Sequence, residues 1–223
     1  MAIDPRVLLG PAAAWGSLLA SLLLILVYEV RAHRLSRVDP THQARFINAR
    51  LRGRWAEVMA TQSGFEIVAV QALRNTLMSA TVVASTAALA LMGALTLGGA
   101  SLAGGMAHLP EGGIAPLHVL LVGLSIGLLF ASYVCSAMSM RYYGNATLVV
   151  SMPVASAERQ RMNPVAVDYV QRAGRLYSWA LRLFLMVVPA VAGAVQPLVL
   201  LPSTVALLVA LHFFDQPAAV ELD

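Results

Sequence analysis

The side chains best suited to chemistry in this chain stand at the start of a long apolar stretch. In IVAVQALRNTLMSATVVASTAALALMGAL (67–95), Gln71, Arg74 and Asn75 precede an almost wholly apolar run. Spacings of three and four residues place the three side chains on one helical face. Two amides and a guanidinium in this arrangement can donate hydrogen bonds to an anion, either a small solute or a lipid headgroup.

Five further residues are candidates for the same anion site. They lie at the ends of other apolar runs or within them: Arg141, Tyr142, Tyr143, Arg182 and Glu29. A charged group inside a membrane span costs roughly 2.5–3.5 kcal/mol on insertion scales. Arg182 therefore either extends to the membrane surface or faces a polar interior with a partner. Glu29 is the best acidic candidate for that partner, and Glu66 is the second. The eight residues together also allow a purely structural network that holds the helix ends.

No catalytic or metal-binding pattern accompanies these residues. The sequence contains no glycine-rich phosphate loop, Ser-His-Asp arrangement or His-Glu-x-x-His string. Cys135 is the only cysteine, so no intrachain disulfide can form. His118 and His212 fall in apolar runs near opposite faces of the predicted bundle. We therefore predict neither catalysis, a cofactor nor a metal, and an enzyme acting on lipid is the weakest alternative.

The composition is that of a membrane protein. The chain has 223 residues, of which 59% are hydrophobic and 12% charged, and its mean hydropathy is +0.74. A soluble domain of this length would need more charge to cover its surface. The net charge of +4 and the pI near 9.7 come from arginines placed between apolar runs. This placement reports membrane topology, so nucleic acid is not an expected partner.

The apolar runs predict one membrane domain, 1–223, with five spans. The spans are about 7–30, 76–97, 117–140, 176–195 and 197–214. The first run exceeds the apolar region of a signal peptide, so we expect it to remain as a span. The last two spans share one apolar stretch, which Gly193 and Gln196-Pro197 interrupt where a helical hairpin would turn. A single tilted span with a long tail is the alternative.

Arginine placement orients the spans. Segment 31–75 holds eight arginines and segment 141–175 holds five, whereas the loop between the second and third spans holds none. Cytoplasmic loops carry such an excess, so we predict an external N-terminus and a cytoplasmic C-terminus with its acidic tail (Asp215, Glu221, Asp223). The absence of lysine is consistent with a GC-rich bacterial genome, and we expect a multi-pass protein of the bacterial inner membrane.

The first arginine-rich segment also predicts an amphipathic helix. Its apolar residues recur in steps of three or four after Pro40: Phe46, Ile47, Leu51, Trp55 and Val58. Such a helix would lie on the membrane surface with Trp55 near the headgroups, and a basic loop is the alternative. In the second arginine-rich segment, Pro153 and Pro164 should bound a short helical or irregular piece.

Small and hydroxylated residues form three regular stripes on the predicted spans. Gly123, Gly127 and Ala131, and likewise Ala80, Ala84 and Ala88, recur every four residues, which permits close helix packing in lipid. We expect the second and third spans to pack through them, with self-association as the alternative. The third stripe belongs to the third span: Ser125, Ser132, Ser136 and Ser139. These serines either line a pore or bond back to their own helix.

Several of these strings resemble a known family. IVAVQALRN followed by TLMSATVVAST, INARLRGRWAEVMA upstream, SAMSMRYYGNATLVV downstream and the final apolar stretch are similar to the bacterial and plant membrane proteins called domain of unknown function 599. The resemblance covers roughly residues 20–215 and is most specific at Gln71–Asn75 and Arg141–Tyr143. It departs at Gly144, at Leu183-Phe184 and at Gln196-Pro197. It implies the fold of an integral membrane protein and no particular activity.

The sequence thus predicts an all-α, polytopic transmembrane helical bundle of five spans with a cytoplasmic amphipathic helix. The expected function is that of a channel- or transporter-like homo-oligomer, whose arginine-rich cytoplasmic vestibule binds an anion. The alternative is a noncatalytic accessory or scaffold subunit that binds another membrane complex or anionic lipid. Expected partners are membrane lipid, further copies of the chain and, in the alternative, another membrane protein.

Overall fold

A computed structural model describes residues 10–38, 44–103 and 115–214 of the chain. These residues form six helices: α1 (Pro11–Val38), α2 (Ala44–Thr61), α3 (Glu66–Ala103), α4 (Ala115–Val150), α5 (Ala157–Val195) and α6 (Pro197–Phe214). The all-α prediction is confirmed. The predicted start of the first span at residue 7 and the acidic tail lie outside the described residues.

Four of these helices are long and apolar enough to cross a membrane: α1, α3, α4 and α5. The helix α6 is a shorter apolar helix, and it begins at Pro197 directly after the break at Gln196. The final apolar stretch is therefore divided into two helices where the sequence placed the turn. The chain is an integral membrane protein of the all-α class, and the count of five spans stays a prediction.

Three helices are much longer than a bilayer requires. With 38, 36 and 39 residues, α3, α4 and α5 are roughly 54 to 58 Å long at 1.5 Å per residue. The hydrocarbon core is about 30 Å thick, so nearly half of each helix projects from it. Much of what the sequence separates into loops is therefore continuous helix. Pro164 lies inside α5 rather than at the end of a short piece, so that prediction was wrong.

The helices α4 and α5 form a close antiparallel pair. Ser132 Oγ donates to the Ala180 carbonyl at 2.8 Å, and Ser139 Oγ donates to the Ala173 carbonyl at 2.9 Å. Small buried side chains recur every seven residues on both helices: Ser125, Ser132, Ser139 and Ala146 on α4, and Ala166, Ala173 and Ala180 on α5. A seven-residue repeat keeps two helices in contact along their length, and small side chains let their backbones approach.

Ser132 and Ser139 of the serine stripe therefore belong to this contact, and because all four serines are buried, the alternative in which they line a pore does not hold within one protomer. Ser125 Oγ bonds back to the Leu121 carbonyl at 2.8 Å. Ser136 is fully buried, and its Oγ has no hydrogen-bond partner among the described residues. The glycine stripe behaves differently, because a Cβ added at Gly123 or Gly127 would meet nothing within 4 Å. Those glycines face outward, so the prediction that they pack against the second span was wrong.

Two apolar clusters mark the ends of the bundle. At one end, Ala14 and Leu18 of α1 pack with Leu117 and Leu121 of α4 and Leu200 of α6. A Cβ at Gly193 would lie 2.8 Å from Leu200 Cδ1, so glycine permits the tight turn from α5 into α6. His118 belongs to this end as well, with Nδ1 2.9 Å from the Ala194 carbonyl oxygen.

The other cluster lies where α3, α4 and α5 project, and we call this the arginine-rich end. It combines residues from four helices: Ala56 of α2, Ala69 and Leu73 of α3, Tyr143, Ala146 and Val150 of α4, and Val170 and Ala173 of α5. Trp55 and Met59 of α2 pack against it. The predicted amphipathic helix is confirmed as a helix, but this face of it contacts protein. Leu51 and Val58 on its neighbouring face are exposed.

Candidate functional site

Arg182 and Glu29 meet inside the bundle. Arg182 Nη1 donates to Glu29 Oε1 at 2.7 Å, joining α5 to α1. Only 8% of the Arg182 side chain and 25% of the Glu29 side chain are exposed. The predicted pairing is confirmed, and the alternative in which Arg182 extends to the surface is wrong. Glu66, the second candidate, lies at the start of α3, where Oε2 accepts from the Gly64 amide at 2.8 Å.

The amide-guanidinium trio lies elsewhere. Gln71, Arg74 and Asn75 are exposed on the outer face of α3, while Leu73 between them packs into the cluster of the arginine-rich end. Ala173 of α5 belongs to that same cluster. Arg182 lies nine residues farther along α5, which is about 13 Å at the helical rise. The trio and the ion pair therefore occupy different levels of the bundle.

The three residues that follow the predicted third span have three different environments. Arg141 is exposed, Tyr142 is half-buried with its ring centroid 5.6 Å from that of Tyr169, and Tyr143 is buried in the cluster. Tyr143 is therefore a packing residue, and Arg141 is free to meet a ligand at the surface. One protomer does not gather the eight candidate residues into a single pocket.

A second buried arginine, Arg159, was not recognised from the sequence. It is 1% exposed, and its guanidinium holds the ends of two helices. Nη1 donates to the Val150 carbonyl at 2.7 Å and to the Met152 carbonyl, and Nη2 donates to the Met59 carbonyl at 2.9 Å. Val150 ends α4 and Met59 lies in the last turn of α2. The positive charge thus sits at the partially negative ends of both helices.

Neighbouring groups complete this clamp. Asn163 Nδ2 donates to the Ala60 carbonyl at 3.3 Å, and Ser156 caps the start of α5 by accepting from the Arg159 amide. Arg159 Nε has no hydrogen-bond partner among the described residues. In the sequence Arg159 and Arg161 look alike, since both stand in a polar stretch after Ser156. Only the position of α2 distinguishes the two arginines, so the local sequence pattern did not indicate that Arg159 would be buried.

Exposed cations remain the chemically available groups at the arginine-rich end. Arg141 and Arg175 each lie two residues from one partner of the Ser139–Ala173 hydrogen bond, and Arg74 follows Leu73. All three are exposed. Guanidinium groups at such sites bind carboxylates or phosphates through paired hydrogen bonds. Among the described residues no three His, Cys, Asp or Glu side chains are grouped to hold a metal ion.

Comparisons with known proteins agree with this picture. Residues 17–219 match the family described as "Protein of unknown function, DUF599". Neither a curated protein nor a solved structure matched the chain. Because the match spans nearly the whole sequence, from within α1 to beyond the end of α6, this chain belongs to the DUF599 family.

Proposed function

We propose that the chain forms a homo-oligomeric, channel- or transporter-like protein of a bacterial inner membrane, in which an anion enters an arginine-rich vestibule between protomers. The vestibule would face the cytoplasm, as the placement of arginines predicts. The groups that contact the anion are the exposed ones, Gln71, Arg74, Asn75 and Arg141. Tyr142 and Tyr143 support them from the packed side. The proposal is of a protein without a catalytic step.

The polar outer face of α3 carries this proposal. Seven of the nine exposed side chains between Gln71 and Thr86 are polar. Three of them, Thr76, Ser79 and Thr86, bond back to carbonyls of α3, so the proposal rests on the other four: Gln71, Arg74, Asn75 and Ser85. By contrast, every exposed side chain of α1 from Pro11 to Val30 and of α6 from Leu198 to Val209 is apolar. Lipid chains offer no hydrogen bonds to polar groups, so α1 and α6 suit lipid. Water, an anion or another protomer is a better cover for α3.

The interior of a single protomer offers less room for a solute. The contact between α4 and α5 is closed by small side chains and by the Ser132 and Ser139 hydrogen bonds. Arg182 is already paired with Glu29. A path between copies of the chain therefore agrees better with the packing than a path through one copy. In this arrangement the Arg182–Glu29 pair fixes α1 against α5 beside the path.

Anion flux into proteoliposomes tests the proposal. We expect the wild-type protein to conduct a small anion, and Arg74→Gln to lose most of that flux while keeping its helical content and oligomeric mass. Arg54→Gln is the matched control, because Arg54 is an exposed arginine of α2 outside the proposed vestibule. Equal flux through both variants would refute the role of Arg74. Absence of flux from folded wild-type oligomers under a range of anions would refute conduction.

A second candidate function rests on α2. Its exposed residues Leu51 and Val58 stand beside Arg54, an arrangement typical of helices that contact anionic lipid. This favours a noncatalytic accessory or scaffold role. Native mass spectrometry with phosphatidylglycerol and phosphatidylcholine distinguishes the two roles. The accessory role would be supported if the protein retains phosphatidylglycerol, if Leu51→Ser weakens that retention, and if the protein conducts no anion.

A further inference from the structure

Two aromatic side chains mark the level at which the bundle leaves the lipid toward the arginine-rich end. Tyr133 of α4 and Trp179 of α5 are 39% and 50% exposed. They stand at one level, because each is the sequence neighbour of one partner of the hydrogen bond from Ser132 to the Ala180 carbonyl. Tyrosine and tryptophan are enriched at membrane–water interfaces. These two rings therefore place one boundary of the hydrocarbon core.

Trp15 of α1 marks the opposite boundary. The ion pair between Glu29 and Arg182 relates the height of α1 to that of α5. Trp15 lies 14 residues before Glu29, away from the arginine-rich end, whereas Trp179 lies three residues from Arg182 toward that end. At the helical rise the two tryptophans are therefore about 25 Å apart along the bundle. The hydrocarbon core is about 30 Å thick, so the two rings fit its two surfaces.

Just beyond Trp179, Gly174 brings an arginine of α2 next to an arginine of α5. Arg175 of α5 is exposed and lies four residues from Trp179, about 6 Å farther from the core. Arg52 of α2 lays its guanidinium on the neighbouring residue, since a Cβ added at Gly174 would lie 2.5 Å from Nη1 and 2.7 Å from Cζ. Arg52 Nε donates to the Asn48 carbonyl at 3.1 Å. The two terminal nitrogens of Arg52 have no hydrogen-bond partner among the described residues.

The charges of these two arginines are not compensated in the way that the charge of Arg172 is. Arg172 Nε lies 2.7 Å from Asp168 Oδ2, so a carboxylate already balances it. Within the described part of the chain, neither Arg52 nor Arg175 has a carboxylate oxygen within 4.0 Å. Like charges at close range repel. An anion that contacts both guanidinium groups would remove this repulsion.

We propose that Arg52 and Arg175 together bind the phosphate of an anionic phospholipid, whose acyl chains pass Trp179 into the hydrocarbon core. Guanidinium groups bind phosphate oxygens through paired hydrogen bonds. The headgroup layer is about 5–7 Å thick on each side of the core, and Gly174 and Arg175 stand about 6–8 Å beyond Trp179. The two guanidinium groups thus lie at the height of lipid phosphates, with an amphipathic ring below them.

The bound lipid joins α2 to α5 at the membrane surface. This site lies apart from the outer face of α3, so it goes beyond the anion vestibule of the proposed function and does not depend on a homo-oligomer. It also differs from the face of α2 that carries Leu51 and Val58, because Arg52 is directed toward α5.

Fluorescence quenching by brominated lipids tests the site. The chain has three tryptophans, so Trp15→Phe and Trp55→Phe leave Trp179 as the sole reporter. In nanodiscs with equal parts of phosphatidylglycerol and phosphatidylcholine, bromination of the phosphatidylglycerol should quench Trp179 more strongly than bromination of the phosphatidylcholine. Each arginine near an anionic surface contributes about a fivefold preference. Arg175→Gln and Arg52→Gln should therefore each lower the preference for phosphatidylglycerol by about that factor.

Two further variants separate the site from general surface charge. Arg172→Gln is the matched control, because Arg172 is an exposed arginine of α5 that Asp168 already balances, and it should keep the lipid preference. Gly174→Ala removes no charge but displaces the guanidinium of Arg52, so it should lower the preference while circular dichroism shows unchanged helical content. Native mass spectrometry of the protein with all three tryptophans repeats the comparison by counting the phosphatidylglycerol retained.

Three results would overturn the proposal. The first is equal quenching of Trp179 by the two brominated lipids before any arginine is replaced. The second is an equal loss of preference in Arg172→Gln and Arg175→Gln. The third is loss of the preference when inorganic phosphate replaces chloride at constant ionic strength, because the site would then bind a free anion. None of these results bears on the anion flux of the proposed function, which is measured separately.

Discussion

Arg159 and Arg182 lie 23 residues apart on α5, and both are almost wholly buried, but their charges are compensated in different ways. Arg159 faces backbone carbonyls at the ends of α2 and α4 and in the turn after α4. Arg182 faces the carboxylate of Glu29. One arginine is thus held by partial charges and the other by a full charge.

The difference follows from location. At the arginine-rich end, two helices stop beside Arg159, and their last carbonyls lack partners within their own helices. A guanidinium has several N–H donors, so it can donate hydrogen bonds to several of these carbonyls at once. Around Arg182 the neighbouring helices continue, so their carbonyls are already bonded within the helix. A carboxylate is a stronger acceptor for a full positive charge than a carbonyl that already accepts within its helix, and Glu29 of α1 supplies one. Burial of an arginine therefore reflects the acceptors that each level of the bundle offers.

The largest effect is expected from Arg159→Met. The substitution removes three charge-assisted hydrogen bonds, each of which contributes roughly 1.5–3 kcal/mol. Because part of this loss is recovered by water, we expect the free energy of unfolding in mixed micelles to fall by about 4 kcal/mol. The end of α2 should also become open to proteolysis.

Arg161→Met is the control for this experiment, because Arg161 is exposed and stands two residues away on the same helix. It should change the free energy of unfolding by no more than about 0.5 kcal/mol. Similar losses in both variants would mean that charge at the start of α5, rather than the clamp, provides the stability.

The next largest effect is expected from Glu29→Gln. Removal of one partner from a buried ion pair leaves the other charge uncompensated, which costs about 3 kcal/mol or more. The free energy of unfolding should fall by that amount, and α1 should separate more readily from α5. Glu57→Gln, at an exposed glutamate of α2, should leave stability unchanged. If the two variants match, other groups around Arg182 suffice to hold its charge.

These two arginines also show what the sequence could predict. Arg182 stands in an apolar run, so its need for a partner is evident from composition, and only two acidic residues were near the expected depth. Glu29 could therefore be named in advance. Arg159 stands among polar residues, where an arginine is normally solvated. Its burial depends on α2 folding back over α5, and that packing has no local signature.

The same distinction applies to the fold. The apolar runs predicted the helices and the break at Gln196, because both follow from local composition. They did not predict that α3, α4 and α5 continue far past the lipid, since polar residues such as Gln71 and Arg141 mark a membrane boundary and do not end a helix. The trio was therefore expected beside Arg182, whereas the structure places it on an outer face. Which stripe packs inward also depends on neighbours, as the outward-facing Gly123 and Gly127 show.

A double substitution sharpens the comparison of the two arginines. Glu29→Gln combined with Arg182→Met removes both charges. The double variant should therefore lose about 2 kcal/mol less free energy of unfolding than the two single variants lose in sum. Glu29→Gln combined with Arg159→Met should be additive, because Arg159 lies about 34 Å from Arg182 along α5. Double-mutant cycles of unfolding free energy measure both. Additivity in the first cycle would show that Glu29 and Arg182 act independently.

The smallest effect is expected at a third arginine, Arg52, which is only half-buried. A Cβ added at Gly174 of α5 would lie 2.5 Å from Arg52 Nη1. The guanidinium is the free end of a flexible side chain, so it can move into water. Gly174→Ala should therefore change the free energy of unfolding by no more than about 0.5 kcal/mol, because the gain in helix propensity offsets the displacement.

Gly144→Ala is the matched control, since a Cβ there meets nothing within 4 Å, and it should stabilise α4 by up to about 1 kcal/mol. A loss of several kcal/mol at Gly174 would mean that Arg52 is held as firmly as Arg159. In that case contact with a helix backbone, rather than burial, would determine how much an arginine of this protein contributes to its stability.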